Sequence, residues 1–191
     1  YTGKDNHEAS ELSGSTYFEG QQDDDDFEKV VIKGKNFDLA LRKYITKVGE
    51  TEVATRTPEI IKDTLNNGTT TAEYKHRKDP VEVETGDKVT YTISTYNEGE
   101  LHGIVTEIID YLPEGLEFDI ADNPLFIEEK AEYTEAELSS KKYVYTFNAI
   151  TRELKIKPIQ GEYLFELDPF DGTNLDTESL NILNLFTVSC N

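Results

Sequence analysis

Apolar and polar residues alternate through the middle of the chain. Val81 and Val83, then Val89, Tyr91, Ile93 and Thr95 fall on alternate positions, with Glu82, Glu84, Thr90, Thr92 and Ser94 between them. A period of two with polar residues on the other face predicts strands of a sheet covered on one side only. Gly86-Asp87 separates the first strand from the second, and Asn97-Glu98-Gly99 ends the second in a turn. A third strand is predicted from Ile104 to Leu112, stopped by Pro113-Glu114-Gly115, where Pro sets φ and Gly tolerates a positive φ. Antiparallel strands with turn chemistry at each break predict an all-β sandwich.

A second signal lies upstream, in FDLALRKYITKV from Phe37 to Val48. Phe37, Leu39, Leu41 and Ile45 share one strand face, Lys43 falls on that same face, and Arg42 and Tyr44 take the other. A lysine in phase with core positions is unusual, because an unpaired buried ammonium is expensive. Two readings stand: Lys43 snorkels or sits at a bulge, or its amine is paired or consumed inside the core. Asp110 poses the same question, sharing a face with Ile108 and Leu112 just before the Pro-Glu-Gly turn. It is either a buried acid or an exposed strand-end carboxylate.

The remaining elements are less regular. Pro58 to Leu65 has a helix start and is predicted to form two turns, ended by Asn66-Asn67-Gly68. Ile127 to Ser140, rich in Glu and Ala, is expected to be helical or a long ordered loop. Tyr143–Phe147 and Leu154–Lys157 read as a hairpin joined through Asn148 to Arg152, and Asp171-Gly172-Thr173 as a turn. Leu180 to Val188 mixes two phases and fits either a bulged strand or two short strands. His76 reads as an exposed strand-end residue with no second His or Cys nearby to make a metal site.

Residues 1–35 differ from the rest: few apolar residues before Val30, several Ser and Gly, and Asp23 to Asp26 in a row. Such a block reads as an extended acidic arm or solvated linker ahead of a sandwich domain at 36–191. Four carboxylates also offer oxygen ligands for calcium, but the run lacks the alternating spacing that wraps a loop around the ion. Val30-Val31-Ile32 reads as a short strand at its end.

Charge narrows the partners. With 19 Lys and Arg against 39 Asp and Glu, the net charge of −20 argues against nucleic acid and against an anionic membrane surface. The single cysteine, Cys190, excludes an intrachain disulfide. No transmembrane run or signal peptide is present, and a chain with no Met is expected to be a mature product or a fragment. No cofactor is called for by any motif. GxSxG, HExxH, Walker and CxxC patterns are absent, and among 39 acidic residues a carboxylate pair arises by chance, so an enzyme is not expected.

FDLALRKYIT, GDKVTYTISTYNEGE and EIIDYLPEGLEF, in this order and spacing, resemble the Ig-like repeat domains of Gram-positive, clostridial-type cell-surface and fimbrial proteins, the Cna-like isopeptide-forming family. QQDDDDFEKV and DPFDGTNLD resemble the linker and late turn of clostridial versions, so the similarity runs from about Gln21 to Cys190. It implies an Ig-like antiparallel β-sandwich with short helical insertions, located on the bacterial surface or in a secreted fibre. In such domains a first-strand lysine often joins a last-strand asparagine through a spontaneous amide bond, assisted by a buried acid. An apolar setting favours the free amine and the neutral acid, so protons can be exchanged. Lys43 matches the lysine and Asp110 the acid. For the asparagine, Asn184, Asn181 and Asn191 are the in-chain positions. The family places it on a further strand, beyond the segment that matches Phe186 to Asn191, and that strand is expected from another segment or subunit, pairing with an open sheet edge.

Two functions follow from the resemblance. One is a structural stalk or pilus-like fibre subunit, partnered by neighbouring repeats or subunits through strand pairing. The other is an adhesin module gripping a host protein or glycan through its loops, for which 11 tyrosines supply contact surface.

Overall fold

The protein was analysed as a computed structural model that describes residues 34–67 and 70–187. The chain divides into two units, residues 1–34 and 35–191, and the description concerns the second. The acidic run Asp23 to Asp26, the segment Val30-Val31-Ile32, Cys190 and Asn191 lie outside the described residues.

Strands and short helices follow in order: β1 (Leu39–Val48), β2 (Thr51–Glu52), β3 (Glu59–Ile61), α1 (Asp63–Asn66), β4 (Glu73–Lys75), β5 (Lys88–Asn97), β6 (Gly103–Val105), β7 (Ile108–Tyr111), β8 (Leu116–Phe118), β9 (Phe126–Glu128), α2 (Glu135–Ser140), β10 (Tyr143–Asn148), β11 (Glu153–Pro158), β12 (Phe165–Leu167) and β13 (Thr177–Phe186). One sheet has the order β2-β1-β5-β13-β8 and a second β7-β11-β10-β9, with the pairs β12-β6 and β3-β4 beside them. Pairing is antiparallel except between β9 and β10. The all-β sandwich expected from the alternation is therefore what forms.

Its core is built from Ile93 of β5 and Leu180 and Ile182 of β13 on one side, and Ile108, Leu154, Ile156 and Phe126 of the second sheet on the other. Val105, Phe165 and Leu167 of the β6–β12 pair continue that cluster. Phe118, Phe126, Tyr143 and Tyr145 meet in tilted and edge-on contacts with ring centroids 4.7 to 5.4 Å apart. Aromatic pairs favour such offsets because ring edges and faces carry opposite partial charge.

Several local expectations are corrected. Val81 to Glu84 joins no sheet; its alternating burial arises because Val81 and Val83 line a small apolar cavity with Ile45, Val89 and Phe186. Ile104–Leu112 is two strands, β6 and β7, which pair with different partners. Pro58–Leu65 is a strand followed by a single helical turn. Ile127–Ser140 opens inside β9 and closes with α2, which a capping box begins: Thr134 accepts from Glu137 N, and Glu137 accepts from Thr134 N. Leu180–Phe186 is neither bulged nor divided: it belongs to the unbroken ten-residue strand β13, and Val188 lies outside the described residues. The hairpin β10–β11 and the Pro113 turn form as predicted, the latter with Leu116 N donating to Pro113 O at 3.2 Å.

The largest correction concerns β5. It is the middle strand of its sheet, and Thr90, Thr92 and Ser94, predicted to face solvent, are buried. The hydroxyls of Thr92 and Ser94 are satisfied laterally. Ser94 bonds to Tyr44 of β1 at 3.0 Å and to Ser179 of β13 at 2.7 Å. Thr92 bonds to Thr46 at 3.0 Å and donates to Asn181 at 2.7 Å. Farther along the same face the β3–β4 pair lies over the sheet. Tyr74 packs against Tyr96 with centroids 4.9 Å apart, and the Arg42 guanidinium sits 3.9 Å from the Tyr74 ring. Tyr74 donates to the buried Glu98 at 2.5 Å, and burial with that hydrogen bond raises its pKa well above the ordinary phenol value.

Candidate functional site

The inner face of β1 delivers Lys43 into the space between the two sheets. Its neighbour on β5 is Ile93, and the next position along that face pairs Ile45 with Tyr91. On the opposite sheet, β7 alternates buried and exposed residues, with Ile108 and Asp110 inward and Ile109 and Tyr111 outward. Asp110 lies beside Leu154, one of the most deeply buried residues. The two charges meet across the sandwich: Lys43 Nζ donates to both Asp110 carboxylate oxygens at 2.7 Å. Their side chains are 23% and 9% exposed, so the pair sits at the margin of the core.

Tyr91 supplies a third component that the sequence reading passed over as core. Its ring centroid lies 4.5 Å from Lys43 Nζ, so the ammonium has a carboxylate and a π face as neighbours. Burial, followed by the Asp110 charge, raises the Tyr91 pKa, so it remains a neutral phenol. The signal was available: Tyr91 shares the inner phase of β5, two positions from Ile93.

Asn184 is fully buried, and neither its amide nitrogen nor its amide oxygen has a hydrogen-bond partner among the described residues. It lies on the inner face of β13 in register with Val89 of β5 and Phe118 of β8. Lys43 is in register with Ile93, and Ile93 with Leu180. Asn184 is thus four residues farther along and on the far side of β5. At about 3.4 Å per residue and about 4.8 Å per strand, these positions are on the order of 14 Å apart along the sheet and 10 Å across it. The structure therefore joins Lys43 to Asp110 and leaves Asn184 separate from both. Asn181 faces the other way, toward Thr92.

Asn97 and Asn123 are also buried, and both are fully engaged. Asn97 donates to Leu101 O at 2.8 Å and Leu167 O at 3.1 Å, and accepts from Gly99 N at 3.0 Å. Asn123 donates to Asp119 O and Leu183 O, and accepts from Leu183 N at 3.0 Å. Against that background the unpartnered amide of Asn184 stands apart.

The edge of β1 completes the site. Among the described residues its one neighbour besides β5 is β2, which pairs with Lys47 and Val48. Among the described residues, Leu39–Ile45 has a strand on one side only, and Leu41 is 47% exposed there. His76 is half-buried just beyond β4, and no group of three metal-binding side chains occurs among the described residues.

The fold and site define an all-β sandwich with a lysine–carboxylate pair held between its two sheets. No family model, curated protein or solved structure matches the chain. No helix among the described residues is long and apolar enough to cross a membrane.

Proposed function

We propose that this chain is a structural subunit of a stalk or fibre on a bacterial surface, and that Lys43 with Asp110 is the donor half of a lysine–asparagine cross-link. One observation carries the reading: a lysine amine is drawn between the sheets onto a carboxylate, beside a strand edge that pairs with no other strand among the described residues. A strand laid against Leu39–Ile45 would bring its own side chains about 5 Å from those of β1. An asparagine there is within reach of Lys43, whereas Asn184, two strands away, is not.

The chemistry balances within these groups. Asp110 takes a proton from the Lys43 ammonium, and the free amine attacks the carboxamide carbon. A new C–N bond forms, Asp110 passes its proton to the leaving nitrogen and takes the second amine proton in return, and the old C–N bond breaks to release ammonia. Tyr91 walls the amine from water. The incoming strand belongs to a neighbouring segment or subunit. Strand addition in trans propagates head to tail when the contact does not close into a ring.

Light scattering at rising concentration, denaturing gels and intact mass together test this. The expected result is gel-stable species lacking one ammonia per bond, abolished by Lys43→Arg and by Asp110→Ala. A chain that stays monomeric at its full sequence mass counts against the proposal. A monomer lacking one ammonia makes an asparagine of this same chain the acceptor.

A further inference from the structure

A second feature lies at the opposite end of the inner faces. β13 continues its inward phase past Leu180 to Glu178, where the sandwich opens into a groove of about 400 Å³. Phe165 is its buried apolar floor, and Tyr143, Tyr163, Glu166 and Lys142 line it together with Glu178. Tyr163 donates to Glu166 at 3.3 Å, which fixes one phenol beside one carboxylate. Glu178 lines the groove together with Tyr143, whose pKa is raised by burial first and then by the Glu178 charge. Each carboxylate is therefore coupled to a tyrosine, and neither has an ion-pair partner among the described residues. Two acids against one lysine leave the groove net negative, inside a chain of net charge −20.

We infer that this groove binds the side chain of an arginine, or of a lysine in the same position, presented by a basic peptide segment of a partner protein. The chemistry of the walls is what a guanidinium requires. Its planar fork donates to two carboxylates, its face stacks on a phenol ring, and its methylene stem lies on an apolar floor. A neutral saccharide would use the rings and the amphipathic floor but would gain little from two uncompensated carboxylates. The acidic field of the whole chain adds long-range attraction for a basic partner. This site is separate from Lys43 and stands whether or not a cross-link forms.

The test is amide and side-chain NMR of the whole chain titrated with N-acetyl-arginine methylamide. N-acetyl-citrulline methylamide is the neutral isostere and cellotriose the saccharide probe. Shifts should localise to Tyr143, Tyr163 and Phe165 with the arginine probe, weaken at high ionic strength, and be absent with citrulline. Glu178→Gln and Glu166→Gln are surface changes whose folding the same spectra report. Each should weaken binding about tenfold, the size of one lost charge-assisted hydrogen bond. Equal binding of citrulline, unchanged binding by both variants, binding of cellotriose in place of arginine, or no localised shifts would each overturn the assignment.

Discussion

Asn97 and Asn184 are the same residue, equally buried, at opposite ends of one sheet face, and their surroundings differ completely. Asn97 is the last residue of β5, where the chain turns and loop carbonyls point inward. Its amide uses Leu101 O, Leu167 O and Gly99 N. That loop is packed closely enough that a Cβ on Gly99 would come within 2.6 Å of Asp38 N, and one on Gly103 within 2.4 Å of Leu39 Cδ2. Asn184 lies within β13, between β5 and β8, whose ladders direct their backbone groups sideways to neighbouring strands rather than up at a side chain. A polar side chain in a strand interior needs a partner on a neighbouring strand, on the facing sheet or in a ligand, and the side chains in register with Asn184, Val89 and Phe118, are apolar. Burial alone says nothing about whether an amide stabilises a fold.

That difference can be broken most severely at the satisfied end. Asn97→Ala strands two carbonyls and one N–H in the core, and should cost about 3 to 4 kcal/mol in urea unfolding. A loss below about 1 kcal/mol would mean that water replaces the amide.

Next in size is Asp110→Ala, which leaves the Lys43 ammonium without its partner. Breaking a fully buried pair costs about 3 to 5 kcal/mol. The Lys43 side chain retains some exposure and can reach water, so about 2 kcal/mol is expected here. Lys43→Met combined with Asp110→Leu should recover most of that loss. If the double variant is as unstable as the single one, packing rather than charge holds this position.

Asn184→Leu should move stability the other way. Replacing an unpartnered buried amide by an apolar side chain of similar volume is predicted to stabilise by about 1 to 2 kcal/mol, read as a higher urea midpoint. Destabilisation would reveal a hydrogen-bonding role for Asn184.

The smallest effect depends on pH and concerns the Asn97 end, where Tyr74 donates to Glu98. A phenol pKa raised by folding means that the folded state keeps its proton after the unfolded chain has lost it. Its contribution is therefore complete below the unfolded value near about 10 and declines as pH rises beyond it. Tyr74→Phe should blunt part of that alkaline decline. Tyr91, Tyr96, Tyr143 and Tyr145 are among the phenols that shift in the same direction, so part of the decline persists. An unchanged alkaline midpoint in Tyr74→Phe would remove Tyr74 from the account.

Both members of the charge pair could be found from strand phase, because a period of two fixes which side chains share a face without knowledge of the partner strand. Lys43 follows Leu39 and Leu41, and Asp110 sits between Ile108 and Leu112. Phase also held a clue to the division of Ile104–Leu112: Val105 is buried at an odd position and Ile108 at an even one, so one strand cannot serve both. The buried hydroxyls of β5 were illegible for another reason. Thr and Ser read as solvent-facing until Tyr44, Ser179 and Asn181 are brought alongside, and those neighbours are distant in sequence. The isolation of Asn184 was likewise hidden, since satisfaction depends on which backbone groups a fold leaves free.

The order β1-β5-β13 has a mechanical consequence. Leu39 begins β1 opposite Asn97, and Thr177 begins β13 opposite Tyr96, so these two strands run the same way on either side of β5. Leu39 and Phe186 then lie toward opposite ends of the sheet. Tension applied between them pulls along the strands, perpendicular to the hydrogen bonds of both ladders. Those bonds are loaded in shear and must fail together; peeling from one end would have let them open singly. A chain pulled in this direction resists extension through its backbone pairing.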